Sequence, residues 1–404
     1  EKKQAPTVRI FGYFSRLFNG DLKTNLQQAV PFWIASFTAG LVAVGYTRLF
    51  GMAEATLQHI IHWRSWMIFL MAPVCFFLAW LIVKLFAPNA RGSGIPQVMA
   101  AIDLATPKNE HKISKLLSLR IIFTKMGSSL MMVLGGGAIG REGPTIQIAG
   151  SVFTVVHKLI PKSWSKLSAR SFILTGASAG LAAAFNTPLG GVVFAMEELA
   201  RIHIRYFSTV LFSAVIIAGL TAQALLGPYL YLGYPDVRGL DFSIFLGVAL
   251  TAVIAGIAGS IMCKCILTLM RWRKTFTNLQ SVIFILSIGI IIACIAFFID
   301  GNIIGSGKTI MNGTLFTDNK SLPWYVVIER MAGSVFAFNT GAAGGVFAPS
   351  LAAGASIGSF ISGLFHLAGA NANILILSGM VGFLTGVTRT PFTSAILVLE
   401  MTDR

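Results

Sequence analysis

Three short glycine- and proline-containing motifs carry the residues whose types and spacing point most directly to chemistry. Proline close after glycine is typical of a helix start, because the first turn tolerates a residue that has no N–H group. The N–H groups of a helix start lack intrahelical partners and carry partial positive charge. Several such starts aimed at one point within a membrane would hold an anion without a full countercharge, which suits a halide that must be bound and then released. The motifs are Gly92-Ser93-Gly94-Ile95-Pro96, Gly140-Arg141-Glu142-Gly143-Pro144 and Gly344-Gly345-Val346-Phe347-Ala348-Pro349.

A second pattern allows a different chemistry. The segment Gly176-Ala-Ser178-Ala-Gly180 fits the G-x-S-x-G pattern of a hydrolase nucleophile, and His366 could serve as its base. Small residues at this spacing are also what packed membrane helices use at their contacts. An intramembrane hydrolase that uses Ser178 is therefore an alternative hypothesis. Replacing Ser178 by alanine would distinguish the two, because a hydrolase would lose its activity and a transporter would not.

The composition indicates the environment in which these motifs work. Hydrophobic residues make up 55% of the 404 residues and charged residues only 11%, and the mean hydropathy is +0.76. Soluble domains carry about 25% charged residues. We therefore exclude a soluble enzyme, a disordered chain and a nucleic-acid-binding protein, although the net charge is +16. The basic residues crowd into short connecting segments, as in cytoplasmic membrane loops, so the sequence predicts an all-α polytopic membrane protein.

Several apolar segments are long enough to span the hydrocarbon core of a membrane. Elsewhere the apolar sequence is interrupted: 119–144 contains a glycine run and four charged residues, and 331–388 contains repeated Gly and one Pro but no Asp, Glu, Lys or Arg. Broken helices at membrane depth are tolerated only where they are buried in protein or line a wet cavity. The interruptions therefore predict a pathway through the protein. The predicted spans are Val30–Phe50, Trp66–Val83, Ser171–Met196, Tyr206–Leu226, Phe242–Cys263 and Ser281–Ile299.

The chain contains an internal repeat at offsets of 203 to 205 residues. We interpret it as two homologous membrane repeats, 28–238 and 239–404, after an N-terminal segment 1–27. Transporter folds are commonly built from such repeats, with the binding site where interrupted segments of both meet. The second repeat has no counterpart of Tyr206–Leu226, so we expect the sequence to be truncated. The superposed pairs include Lys125 with Arg330, Gly140 with Gly345, Pro144 with Pro349, Thr187-Pro188 with Thr390-Pro391, and Glu197 with Glu400.

Together the motifs resemble those of the CLC family of chloride channels and chloride/proton exchangers, over about residues 30–404. The resemblance implies a homodimer in the lipid bilayer with one pore per subunit. Each pore would be formed by two inverted-topology repeats of tilted and discontinuous helices. The motifs occur in family order: GSGIP at 92–96, GREGP at 140–144, GLAAAFNTP at 180–188, GGVFAP at 344–349 and LEMTD at 399–403.

The resemblance also implies a central chloride site. Gly92 and Ser93 would contribute to it from the first repeat, with the Ser93 hydroxyl facing the anion. The backbone amides of Val346 and Phe347 would complete it from the second repeat. Serine in the GSGIP motif favours chloride over nitrate, and the same motif argues against the fluoride-selective branch of the family. The tyrosine that contacts the central anion in the family would lie beyond residue 404.

An outer chloride site is implied beside Glu142. The amides of Gly140, Arg141 and Glu142, together with those of Phe347 and Ala348, would form it. The resemblance makes Glu142 the gate and the external proton carrier. Its carboxylate is itself an anion that can occupy the outer site, and protonation would release it and admit chloride. The alternative is that Glu142 merely pairs with Arg141, although adjacent residues on a helix do not face each other.

Two consecutive glutamates, Glu197 and Glu198, form the last candidate group. The repeat aligns Glu197 with Glu400, which predicts a structural or interfacial role, whereas Glu198 aligns with Met401. In the family the second glutamate is the internal proton acceptor of exchangers, so Glu198 favours chloride/proton exchange over a passive chloride channel. The alternative is that Glu198 pairs with Arg201 at a helix end.

The remaining expectations concern partners and location. We predict chloride and protons as substrates, no cofactor and no metal, and a transporter rather than an enzyme. The four cysteines lie in apolar stretches and are interpreted as small buried hydrophobes. The basic N-terminal segment is predicted to be cytoplasmic, with the protein in the inner (plasma) membrane. Gln97 and Met99 stand where bacterial relatives often have acidic residues, so the charge of the inner vestibule cannot be carried over from the family.

Overall fold

The computed structural model describes residues 21–160, 168–200, 209–227, 232–240, 242, 244–318 and 320–402. These residues form sixteen α-helices and no β-strand beyond isolated bridges. The helices are α1 Asp21–Trp63, α2 Ile68–Phe86, α3 Ile95–Leu104, α4 Glu110–Ile113, α5 Leu119–Leu134, α6 Glu142–Leu159, α7 Ala169–Phe185, α8 Pro188–Phe194, α9 Thr209–Leu226, α10 Ile244–Arg273, α11 Asn278–Phe298, α12 Lys308–Phe316, α13 Trp324–Asn339, α14 Phe347–Leu364, α15 Gly369–Thr388 and α16 Pro391–Met401.

Seven of the described helices are long and apolar enough to cross a membrane, namely α1, α2, α9, α10, α11, α14 and α15. Their lengths follow from continuous apolar sequence without an internal glycine–proline break. The predicted all-helical membrane protein is therefore confirmed. The N-terminal residues 1–20 and the pairing of Glu198 with Arg201 lie outside the described residues.

The predicted single span Ser171–Met196 is wrong. Helix α7 ends at Phe185 because Asn186 adopts a left-handed conformation with φ 59°, and Pro188 then begins the short helix α8. A proline lacks the N–H group that a continuing helix needs. The second repeat has the same break, since Arg389 adopts φ 62° and Pro391 begins α16.

Small residues allow the helices to approach closely. In the second repeat α15 packs against both α10 and α14. A Cβ atom added at Gly354 of α14 would overlap the backbone of Gly379 in α15, and one added at Gly386 would overlap the backbone of Gly256 in α10. Glycine at these helix contacts therefore serves close packing, as small residues do between membrane helices.

The cysteine prediction holds only in part. Cys75 is buried in α2, and Cys263 and Cys294 are partly exposed, but Cys265 is exposed on α10. Cys263 and Cys265 are two residues apart on one helix, so they face directions about 200° apart and cannot both point inward. Exposure on the apolar face of a membrane helix is compatible with a small hydrophobic side chain.

Candidate anion-binding site

The three glycine–proline motifs do begin helices. Helix α3 starts at Ile95 with Pro96 as its second residue, α6 starts at Glu142 with Pro144 as its third, and α14 starts at Phe347 with Pro349 as its third. Each helix therefore begins where the sequence predicts. The first N–H groups of a helix have no partner within the helix, so a group outside the helix must satisfy them.

Backbone hydrogen bonds hold the three helix starts together. The amide of Gly140 donates to the carbonyl of Gly345, and the amide of Gly345 donates to the carbonyl of Gly140, both at 2.8 Å. The first motif joins the same group, because Gly92 N donates to Ala342 O at 2.9 Å and Gly344 N donates to Gly92 O at 3.1 Å. The three helix starts, two from residues 28–238 and one from residues 239–404, thus share a meeting point that is formed by main-chain hydrogen bonds.

Glu142 lies at this meeting point. Its side chain is only 1% exposed. A Cβ atom added at Gly140 would overlap the Glu142 carboxylate and would stand 3.2 Å from the amide nitrogen of Ala348. The carboxylate of the first repeat therefore lies next to the start of α14, from the second repeat. A helix start stabilises a negative charge placed there.

One of the amides assigned to the outer site by resemblance is already engaged. The Gly140 N–H donates to Gly345 and is not free to face an anion. Gly140 contributes instead through its missing side chain, since any Cβ at this position would collide with the carboxylate of Glu142. The amides at the start of α14, those of Val346, Phe347 and Ala348, precede the first backbone hydrogen bond of that helix, from Ser350 to Val346 at 2.9 Å.

Ser93 lies beside the same helix starts. It is 9% exposed, and a Cβ atom added at Gly143 would come within 2.9 Å of the Ser93 Cβ. The first and second motifs are therefore in direct contact. Ser93 and Gly92 line a cavity of about 400 Å³, and the Ser93 hydroxyl accepts a hydrogen bond from the Ile95 amide at 3.4 Å.

The stretch 180–188 also joins the site. Phe185, at the end of α7, lies 6.1 Å from Phe347 between ring centroids, and Phe194 of α8 lies 6.4 Å from it. These aromatic contacts bury Phe347 and fix the start of α14 against the first repeat. The motif therefore has a positioning role, which its sequence alone does not reveal.

Two buried cations hold the loops that precede the helix starts, and sequence reasoning did not assign them a role. Lys125 Nζ donates to the carbonyls of Ala90 and Gly92 at 2.9 and 2.8 Å. Arg330, its repeat partner, donates to the carbonyls of Asn302, Ile304 and Gly305 at 2.8 to 3.1 Å. Both side chains are fully buried, and these carbonyls supply hydrogen-bond partners for polar groups that burial removes from water.

One of the carbonyls that Arg330 binds, that of Gly305, belongs to a second Gly-Ser-Gly loop, Gly305-Ser306-Gly307, and the other two lie just before this loop. Its two glycines adopt φ 70° and 86°, which match φ 64° and 98° at Gly92 and Gly94. This loop lies 213 residues after the first loop, whereas the repeat offset is 203 to 205 residues, so the repeat alignment does not pair the two loops. Lys125 and Arg330 are 205 residues apart, so no single offset aligns both these basic residues and the loops that they bind.

Glu197 and Glu400 form a reciprocal pair of helix caps. The Glu197 carboxylate accepts hydrogen bonds from the amides of Phe392 and Thr393 at 3.2 and 2.7 Å, at the start of α16. The Glu400 carboxylate accepts from Leu189 and Gly190 at 3.1 and 2.8 Å, at the start of α8. Each repeat therefore caps a broken helix of the other. Glu198 lies in the π-helical turn Ala195–Ala200 that follows α8, and its side chain is partly exposed.

The hydrolase pattern has a different geometry from the one its chemistry requires. Ser178 lies in the middle of α7, is fully buried and donates to the carbonyl of Leu174 at 2.9 Å. A nucleophile of this pattern stands on a sharp strand-to-helix turn with its hydroxyl exposed. His366 is exposed beyond the end of α14. Among the described residues no group of three or more His, Cys, Asp or Glu side chains could hold a metal ion.

Comparison with known proteins agrees with this geometry. A family profile described as "Voltage gated chloride channel" matches residues 75–404. The chain is 26% identical over its whole length to the H(+)/Cl(-) exchange transporter ClcA of Citrobacter koseri, of which it covers 86%. It is 27% identical to the protein of the same name from Cronobacter sakazakii, with 98% of this chain and 88% of that protein covered.

Solved structures show the same fold. A slow cyanobacterial Cl-/H+ antiporter superposes with a TM-score of 0.79 at 22% identity, covering 93% of this chain and 89% of that one. A CLC-type fluoride/proton antiporter gives 0.73 at 20% identity, with 95% and 96% covered. A eukaryotic CLC transporter gives 0.75 at 18% identity, with 95% and 68% covered. The chloride antiporter and the fluoride antiporter superpose on this chain about equally well, so the fold alone does not determine which anion is bound.

Proposed function

Because the chain belongs to the voltage-gated chloride channel (CLC) family, we propose that it is a secondary active transporter that exchanges chloride for protons across the membrane. The observation that carries the proposal is the position of Glu142, a buried carboxyl beside the helix start of the opposite repeat. An ionisable side chain in this setting is a functional group by default. The relatives named as H(+)/Cl(-) exchange transporters support the same reaction.

The proposed chloride path runs between the cavity at Ser93 and the Glu142 carboxylate. The central site would use the Ser93 hydroxyl and the amides of Val346 and Phe347. The outer site would use the amides of Arg141, Glu142, Phe347 and Ala348, without that of Gly140. Because these donors are dipoles rather than fixed cations, they would bind chloride and still release it.

Proton coupling follows from competition at Glu142. The ionised carboxylate and chloride are both anions that the helix starts attract, so they exclude each other. Protonation removes the negative charge of the carboxyl group, so this group no longer competes with chloride for the site. A proton is thus taken up when chloride enters, and it is released when the carboxylate returns. We propose Glu198 as the internal proton acceptor, supported by its partly exposed position at the end of α8.

We also propose that the two repeats are inverted and that the protein is a homodimer. The exchange of caps between Glu197 and Glu400 supports a pseudo-two-fold relation, since equivalent residues make equivalent contacts in opposite halves. Both carboxylates are partly exposed, and Leu189 and Phe392, whose amides they bind, have exposed side chains. Carboxylates facing lipid are costly, so a second copy of the chain that covers this face would stabilise it. We place the N-terminal segment on the cytoplasmic side of the bacterial inner membrane.

The proposed exchange is tested with purified protein in liposomes, with chloride and proton fluxes recorded together. We expect an outward chloride gradient to drive protons inward against their own gradient. Glu142→Ala should keep chloride flux and abolish proton movement, because no carboxyl remains to carry the proton. Glu110→Ala, a change at an exposed carboxyl on α4, is the control and should behave like the unaltered protein. Chloride flux without uphill proton movement in the unaltered protein would identify a passive channel.

A further inference from the structure

The cavity beside Ser93 is lined by positive charges that the proposed exchange reaction does not require. It has a volume of about 400 Å³, within the usual range of small-molecule sites. Among the described residues that line it there are basic side chains and no acidic one. The basic side chains are Lys84, Arg91, Arg273 and Lys274.

Two of the four cations are held in place by neighbours that do not neutralise them. Lys84 Nζ lies 4.6 Å from the centroid of the Trp80 ring and donates to Asn278 Oδ1 at 2.8 Å. The Arg273 guanidinium lies 5.6 Å from the centroid of the Phe284 ring and donates to the carbonyl of Asn339. These contacts restrict both side chains, which reduces the entropic cost of binding an anion.

The other two cations, Arg91 and Lys274, also line the cavity and, like Lys84, have exposed side chains. Arg91 immediately precedes Gly92, whose carbonyl is held by the buried Lys125. Lys274 follows directly after α10. Gln97, where an acid would offset these charges, instead donates its amide to the carbonyl of Arg91 at 2.9 Å. The cavity is thus a cationic cup, formed by Lys84, Arg91, Arg273 and Lys274, with Ser93 at its inner end.

Four like charges around one cavity repel each other, and an anion placed among them relieves the repulsion. A single chloride can satisfy only part of this charge. An anion with two or more phosphate groups offers several charged acceptors, and arginine binds phosphate oxygens in a bidentate way. The cup therefore fits a polyphosphate better than it fits the transported ion.

We propose that the cationic cup is a binding site for an anion with two or more phosphate groups, which blocks chloride entry to Ser93 when it is bound. The block, though not the binding, rests on the proposed function. The basic residues at the ends of α2 and α10 place the cup on the cytoplasmic side by the positive-inside rule. The phosphates can come from a soluble metabolite or from the headgroup of an anionic lipid, since the chemistry is the same.

Binding is tested by calorimetry on the purified protein in a zwitterionic detergent, with pyrophosphate as the probe. We expect saturable binding that weakens about tenfold in Arg91→Gln and in Lys274→Gln, because each change removes one charge-assisted contact. Arg271→Gln is the control, since Arg271 is exposed on the same helix end as the cup but does not line it, and its affinity should stay within about twofold. Absence of saturable binding, or equal weakening in the control, would overturn the proposal. This experiment needs no transport, so its outcome is separate from that of the exchange measurement.

The block is tested in phosphatidylcholine liposomes with pyrophosphate on both sides and gluconate at matched ionic strength as reference. Pyrophosphate should slow chloride flux in competition with chloride, and the two variants should need about tenfold more of it, relative to their own uninhibited rates. Slowing by gluconate to the same extent would reduce the effect to ionic strength and refute the block. Adding an anionic phospholipid distinguishes the sources: weakened pyrophosphate inhibition would show that lipid phosphates occupy the cup, and unchanged inhibition would show that the soluble anion does.

Discussion

At the scale of single residues, anion choice is proposed to depend on one hydroxyl. Ser93 is buried against Gly143 and faces the cavity, so little else can take its place as a side-chain donor to the central anion. We expect Ser93→Pro to weaken the preference for chloride over nitrate, because proline removes both the hydroxyl and an N–H group. The measurement is the ratio of chloride to nitrate flux in liposomes. An unchanged ratio would count against Ser93 as a ligand.

The second residue-scale prediction concerns Glu198. Glu198→Ala should abolish proton movement while chloride flux continues, because the internal acceptor of the proton is lost. The same paired flux recording checks it, and Glu198→Asp provides a variant that retains a carboxyl group. Undiminished proton movement in Glu198→Ala would refute the proposed role. If both fluxes are lost, the thermal stability of the variant shows whether the protein has unfolded.

At the scale of elements, the site depends on helices that are broken at the right place and capped there. Glu400 and Glu197 cap α8 and α16 across the two repeats. Glu400→Ala should destabilise the folded protein by about 1 to 2 kcal/mol, the range for a lost helix cap. Glu400→Gln should destabilise it less, because the amide oxygen still accepts a hydrogen bond. Thermal unfolding in detergent measures both, with Glu110→Ala as reference. Equal effects of the two substitutions would show that the negative charge, rather than the acceptor, stabilises α8.

At the scale of the whole molecule, the exposed face of α8 and α16 is the proposed contact between subunits. The protein in mild detergent should have twice the 43.3 kDa mass of one chain. Phe392→Lys should shift it toward the monomer, because an unpaired charge would be buried in the interface. Phe298→Lys is matched in exposure, since both phenylalanines are 73% exposed, and it lies on α11 away from this face. Light scattering measures the mass, and a monomeric unaltered protein would exclude the homodimer.

Sequence alone could predict much of the fold and part of the site. Low charge and high hydropathy determine a helical membrane protein, because lipid offers no partner for an unpaired backbone group. The glycine–proline motifs determine where α3, α6 and α14 begin, since local backbone preferences act over a few residues. The repeat offset also pairs Lys125 with Arg330 and Glu197 with Glu400 from the sequence alone, although it does not show what these residues contact.

Only the tertiary structure decided what those residues touch. The apolar sequence is continuous across Ser171–Met196, so hydropathy predicts one span there. Hydropathy is averaged over many residues and therefore does not reveal the left-handed conformation of the single residue Asn186. The engagement of the Gly140 amide, the carbonyls bound by Lys125 and the four cations around one cavity all join segments far apart in the chain. Such contacts depend on how the two repeats pack against each other, and no local pattern of residues encodes that packing.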